Sequence, residues 1–157
     1  MRVTIAAVGR VKSGPDRDLY EDYAKRLARG GLLGPLELKE VEARGKLSPE
    51  ELKAREGALL LAAVPPGAAI VALDERGLEL DSAGFAARLG AWRDQGRRDV
   101  AFLIGGAGGL GKEPRQAADL ILRFGRLTWP HRLVRPLLAE QLYRAETILS
   151  GHPYHRE

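Results

Sequence analysis

Three short runs rich in apolar residues, 2–8, 68–73 and 100–104, each end at a glycine or an aspartate and are separated by segments long enough to hold a helix. Each run is too uniformly apolar to have one face in water. Strands of that kind are buried on both faces, which requires helices above and below a largely parallel sheet. The segments between the runs read as those helices. Pro15 and Asp16 suit a helix start, Leu19, Tyr20, Tyr23 and Leu27 recur at helical spacing, and Gly30-Gly31 stops the pattern. Ser48-Pro49-Glu50-Glu51 forms a capping box with proline at the first helical position, opening a helix through Leu52, Leu59 and Ala63 to Pro65-Pro66-Gly67. Asp81 or Ser82 caps a third helix reaching about Gln95, with Phe85, Leu89 and Trp92 on one stripe.

The remaining elements are less sharply marked. Residues 36–42 alternate apolar and charged, as a half-exposed strand does. Asp74-Glu75-Arg76-Gly77 reads as a turn closing the second apolar run. A short helix is expected from about Pro114 and a strand near Leu127. The last helix carries Leu138, Leu142, Ala145 and Leu149 on one face and stops at Gly151, with Pro153 just beyond. The expected fold is therefore α/β, a mostly parallel sheet with helices on both faces, in one domain over residues 1–157. No apolar run reaches the ~20 residues that span a bilayer, and no leader pattern precedes the first strand, so a cytoplasmic protein is expected. The chain has no cysteine, which excludes disulfides, thiol nucleophiles and thiolate metal sites.

Charge points to a polyanion. Lysine and arginine exceed aspartate and glutamate by 25 to 21, giving +4. From residue 123 onward six arginines (Arg123, Arg126, Arg132, Arg135, Arg144, Arg156) face three glutamates and no lysine. The planar guanidinium donates two parallel hydrogen bonds to phosphate, so this bias favours nucleic acid. An RNA-binding module without catalysis fits these arginines but gives no reason for the glycine-dense segment that precedes them.

That segment, Gly105-Gly106-Ala107-Gly108-Gly109-Leu110-Gly111-Lys112, follows a buried strand, where open α/β sheets bind ligands. Two nucleotide motifs can be laid on it and neither holds. Residues 106–111 match G-x-G-x-x-G, but residues 122–130 lack the acidic group that would grip a ribose ~20 positions on. The phosphate-loop pattern fails at Glu113, which stands where a magnesium-binding Ser or Thr belongs. A ligand without a polyphosphate fits better. The chain then ends on His152-Pro153-Tyr154-His155-Arg156, a dense set of functional groups for a terminus. His152 and His155 do not make a metal site, because Pro153 disfavours helical presentation and no nearby Asp or Cys completes the set.

Taken together, Val8-Gly9, Leu73-Asp74, Leu103-Ile104-Gly105-Gly106 with Gly109, Trp129-Pro130-His131, Glu140-Gln141-Leu142-Tyr143-Arg144-Ala145 and His152-Pro153-Tyr154-His155-Arg156 resemble a known family over the whole chain. It is that of the bacterial large-subunit (23S) rRNA methyltransferases that modify N3 of a pseudouridine, small members of the SPOUT, or trefoil-knot, class. Gly108 and Pro136 depart from or vary in its usual pattern. The resemblance implies a C-terminal deep trefoil knot, against the ordinary rule that connections do not thread loops. It implies S-adenosylmethionine as cofactor, held by Leu73, Gly105, Gly125, Arg126, Leu127, Thr128, Trp129 and Pro130, with no metal. It implies a homodimer in which one protomer's tail completes the other's pocket, the stripe from Leu138 to Leu149 being either the dimer face or core. A chain this small offers little surface to a large RNA, so the assembled ribosome is the expected substrate.

Chemistry assigns roles within that frame. The N3 imide proton must be removed before the nitrogen can attack a methyl group. His155 has the ordinary pKa nearest neutrality in the tail and is the first choice of base; Arg156 is placed to stabilise imide charge or bind phosphate, and Tyr154 to stack on or hydrogen-bond the base. His131 competes as base or serves as a structural hydrogen-bonder. Arg132 and Arg135 are expected on rRNA phosphates.

Overall fold

The computed structural model describes residues 1–156, except for the side chains of His155 and Arg156. The elements in chain order are β1 (Arg2–Val8), α1 (Pro15–Ala28), β2 (Leu36–Val41), α2 (Pro49–Ala62), β3 (Ala69–Glu79), α3 (Ser82–Asp94), β4 (Asp99–Ile104), α4 (Lys112–Ala117), β5 (Leu120–Arg123) and α5 (His131–Ser150), closed by a 3-10 turn at Pro153–Arg156. The strands form one parallel sheet in the order β2-β1-β4-β3-β5.

The pleat sorts each apolar run between two cores. Val3, Ile5, Val71, Val100, Phe102 and Leu122 point to the face covered by α1, α3 and α5, where they meet Leu27, Leu89, Leu138 and Leu142. Ala6, Val8, Ala72 and Leu103 point the other way, against Leu60 of α2 and Leu110. This two-sided burial is what the unbroken apolar runs required. The capping box is present as read: Ser48 Oγ accepts from the Glu51 amide at 3.3 Å, and Glu51 accepts from the Ser48 amide at 2.8 Å.

Two expectations, on β3 and on the last strand, give way to tertiary context. The chain does not turn at Asp74; β3 runs on to Glu79, slipping register between Leu73 and Leu78 so that both pair with Leu122. Pairing with β5 overrides the turn signal, and Gly77 makes it possible, since a Cβ there would lie 2.6 Å from the Leu122 carbonyl carbon. The last strand is Leu120–Arg123 rather than one near Leu127, which sits exposed in the following loop. Helix α5 starts at His131 and contains Pro136, whose missing amide frees only the Arg132 carbonyl near the helix start. Of the two readings of the last helix's stripe the core reading holds, since Leu138, Leu142 and Ala145 are each fully or almost fully buried. On the same helix the buried Glu146 accepts backbone N–H bonds from Gly31, Leu32 and Leu33, fixing the loop between α1 and β2.

Candidate active site

The register lines up the carboxyl ends of the strands: Val8 with Val41, Ala7 with Ile104, Ile104 with Leu73, and Leu73 with Leu122. Above the β4, β3 and β5 end of that row opens a cleft of about 740 Å³. Its walls bring together segments remote in sequence. Leu73, Gly105, Gly125, Arg126, Leu127, Thr128 and Trp129, seven of the residues expected around the cofactor, all line it. Pro130 does not; it stands at the N-cap of α5.

Local chemistry explains the shape. Gly105 is buried where a Cβ would lie 2.7 Å from the carbonyl carbon of Gly109, so only glycine lets the loop fold back on itself. Gly125 has φ +80°, the left-handed region that reverses the chain after β5. The indole Nε1–H of Trp129 then donates to the Phe124 carbonyl at 2.8 Å and closes that loop into a wall.

Several lining groups were not assigned to the cofactor site from the sequence. Lys53 reaches the cleft from α2, and Asp74, Glu75 and Arg76 reach it from the irregular stretch of β3. The Asp74 side chain is only 7% exposed; it accepts from the Arg76 amide at 3.0 Å and faces the Arg115 guanidinium at 3.4 Å. A turn-forming reading of Asp74 hid this position, because the register slip that turns it inward depends on β5. His131 also lines the cleft. Burial, and then the nearby Arg135 and Arg132, hold its imidazole below the ordinary value of 6.5, so the ring is neutral at neutral pH. Its place at the start of α5 acts in the same direction.

The tail lies elsewhere in the same chain. The Tyr154 hydroxyl lies 3.3 Å from Glu140 Oε1 and 3.5 Å from the Tyr23 hydroxyl, with its ring 4.7 Å from that of Tyr143 and beneath the Arg144 guanidinium. None of these partners lines the cleft. Burial, then the bonds with Tyr23 and Glu140, raise the phenol well above its usual range, so Tyr154 keeps its proton and acts as a donor or stacking face. The side chains of His155 and Arg156 lie outside the described residues.

The two arginines of α5 separate. Arg132 is exposed and pairs with Asp16 through Nε at 2.9 Å and Nη2 at 3.4 Å, leaving Nη1 without a protein partner among the described residues. Arg135 is 2% exposed. Its Nη1 donates to Glu40 at 2.7 Å, and its Nη2 donates to the carbonyls of Val8 and Gly9 at 2.7 and 2.8 Å. The expected phosphate contact of Arg135 is therefore corrected to an internal tie between α5 and the ends of β1 and β2. Arginine composition alone gives no sign of this, since it does not say what packs over a charge.

A family model described as "Predicted SPOUT methyltransferase" matches residues 1–155. The chain is 63% identical over 156 residues to the ribosomal RNA large subunit methyltransferase H of Rhodospirillum centenum, covering 99% of each chain. It is 58% identical over 156 residues to the protein of that name from Paramagnetospirillum magneticum, again covering 99% of each. Among solved structures, a probable methylase family protein from Haemophilus influenzae Rd KW20 shares the fold with a TM-score of 0.51 at 12% identity, over 98% of this chain and 69% of that one.

Proposed function

The chain belongs to the SPOUT methyltransferase family, and from that premise we propose that it moves a methyl group from S-adenosylmethionine to N3 of a pseudouridine in large-subunit rRNA, on the assembled ribosome in the cytoplasm. The observation that carries this reading is the cleft itself, which gathers Leu73, Gly105 and 125–129 at the strand ends where open α/β sheets hold ligands.

The lining fits the cofactor. Leu73, Ile104, Leu122 and Val134 offer apolar walls for the adenine, and the loops 105–109 and 125–129 offer backbone donors and acceptors. Asp74 and Glu75 suit a cationic sulfonium and would repel a polyphosphate. When bound, the cofactor supplies a methyl group activated for in-line displacement, and the protein supplies position and electrostatics. His155 takes the N3 proton, Arg156 stabilises the imide charge and binds phosphate, and Tyr154 stacks on or donates to the base. Arg132, exposed beside the cleft residue His131, grips a phosphate.

The protein works as a homodimer in this reading. Tyr154 sits away from its own cleft, which supports a tail that serves the partner's. Leu127, Trp129, Leu133 and Leu137 are exposed together around the start of α5 and supply an apolar face for the second copy. The knotted threading belongs to the same reading; α5 leaves β5 at the sheet edge and returns to pack on α1 and α3. His131 is a second candidate base, favoured by its place in the cleft and its neutral ring. Transfer of labelled methyl to ribosomes lacking the modification, with the product mapped, tests all of this. Loss of turnover in His155→Ala and Arg156→Ala but not in His131→Ala supports the tail. Full turnover in both tail variants would sink it, and failure of S-adenosylmethionine to bind in calorimetry would sink the whole reading.

A further inference from the structure

The row of strand ends continues past the cleft. Beside β4 lies β1 and beyond it β2, so the loops 9–14 and 42–48 leave the same sheet edge about 5 and 10 Å to one side of the glycine loop. Arg10, Lys12, Arg44 and Lys46 stand on those loops, all exposed, against one carboxylate, Glu42. Among the described residues none of the four enters an ion pair.

The first of these loops is held rigidly. Arg135 ties the carbonyls of Val8 and Gly9 to α5, the Gly9 amide donates to the Val41 carbonyl at 2.8 Å, and the Val11 amide donates to Glu40 at 2.9 Å. Arg132, bonded to Asp16 of α1, continues the line of cations to the cleft lip at His131. The other flank differs. There Arg76 faces Asp74 at 3.6 Å and Arg123 pairs with Glu79 at 2.8 Å, while Glu75 stands exposed beside a single unpaired arginine, Arg126, among the described residues of that flank. Cations left unneutralised on a preorganised edge repel one another until a polyanion covers them.

We infer that the loops 9–14 and 42–48 form a phosphate-binding ledge that seats the RNA strand running on from the nucleotide in the cleft, with Arg10, Lys12, Arg44 and Lys46 against its backbone. The inference rests on the RNA-methylation reading above and adds a direction to it: the RNA leaves the cleft over β1 and β2 rather than over β5. Phosphate-directed bonds of this kind position RNA without reading its sequence.

The test compares Arg10→Gln/Lys12→Gln and Arg44→Gln/Lys46→Gln with Arg29→Gln/Arg98→Gln, which removes equal charge from exposed cations at the opposite, amino-terminal edge. Substrates are ribosomes lacking the modification and protein-free large-subunit rRNA. The KM for ribosomes should rise about tenfold in each ledge variant at physiological salt, with kcat and the S-adenosylmethionine Kd unchanged. The slope of log affinity for the free rRNA against log salt should shrink by roughly 0.7 to 0.9 for each phosphate no longer neutralised. The control pair should change KM less than about twofold. Equal losses in the control, or no change in the ledge variants, would overturn the ledge. So would a loss seen with ribosomes but not with free rRNA, which would assign these cations to a ribosomal protein. Cosedimentation with ribosomes separates the two ideas: if the wild type binds but transfers no label, the methylation reading fails, while weaker binding of the ledge variants alone still supports the ledge.

Discussion

Replacing Arg135 by alanine removes a buried cation that joins α5 to the ends of β1 and β2. Three acceptors lose a donor: Glu40, Val8 O and Gly9 O. Each buried acceptor left unsatisfied costs ~1–3 kcal/mol, and breaking a buried ion pair costs about 3–5 kcal/mol in all. Glu40 keeps partial compensation, since its side chain is 19% exposed, Arg17 lies 3.9 Å away and the Val11 amide still donates to it. The lower end of that range, about 3 kcal/mol, is therefore expected. With a urea m-value of ~2 kcal/mol/M, the unfolding midpoint should fall by about 1.5 M. In a double-mutant cycle, Glu40→Gln/Arg135→Met should cost clearly less than the sum of the two single changes, because it removes both charges together. A loss below about 1 kcal/mol for Arg135→Ala, or strict additivity in the cycle, would refute the claim that Arg135 is internal and would return it to the RNA surface.

Other outcomes follow from the same geometry. Gly105→Ala should weaken S-adenosylmethionine binding at least tenfold by calorimetry, because its Cβ meets the Gly109 backbone at 2.7 Å and the loop must open; wild-type affinity would mean that the loop yields freely. Leu142→Ala should cost ~2–5 kcal/mol of stability. That loss should be independent of protein concentration, since Leu142 is fully buried within its own chain; a concentration-dependent loss would return the stripe to a dimer face. Burial and the neighbouring arginines lower the His131 pKa on folding, so as pH falls through about 6.5 the unfolded chain takes up the proton first. The stability contributed by the neutral ring is therefore full above that pH and is lost as pH drops. His131→Gln should flatten the fall in Tm between pH 7 and 5, and parallel curves for the two proteins would contradict the assignment.

Much of the fold is local and therefore legible in the chain. Both-face burial of the strands follows from the unbroken apolar runs, and the start of α2 follows from Ser48 and Glu51, which bond across three residues without help from the rest of the molecule. The place of the glycine loop in the cleft wall was legible too, because only its position after a buried strand and its lack of side chains mattered. Tertiary structure decided the rest. The sequence does not show that β5 would capture β3 beyond Asp74 and turn that carboxylate toward the cleft, nor that Lys53 of α2 would reach the cleft wall. It gives Arg132 and Arg135 the same chemistry, three residues apart on one helix. One faces solvent beside Asp16 and the other lies beneath Glu40 and two carbonyls, because what a charge does is set by what packs around it, and that is a property of the assembled sheet and helices.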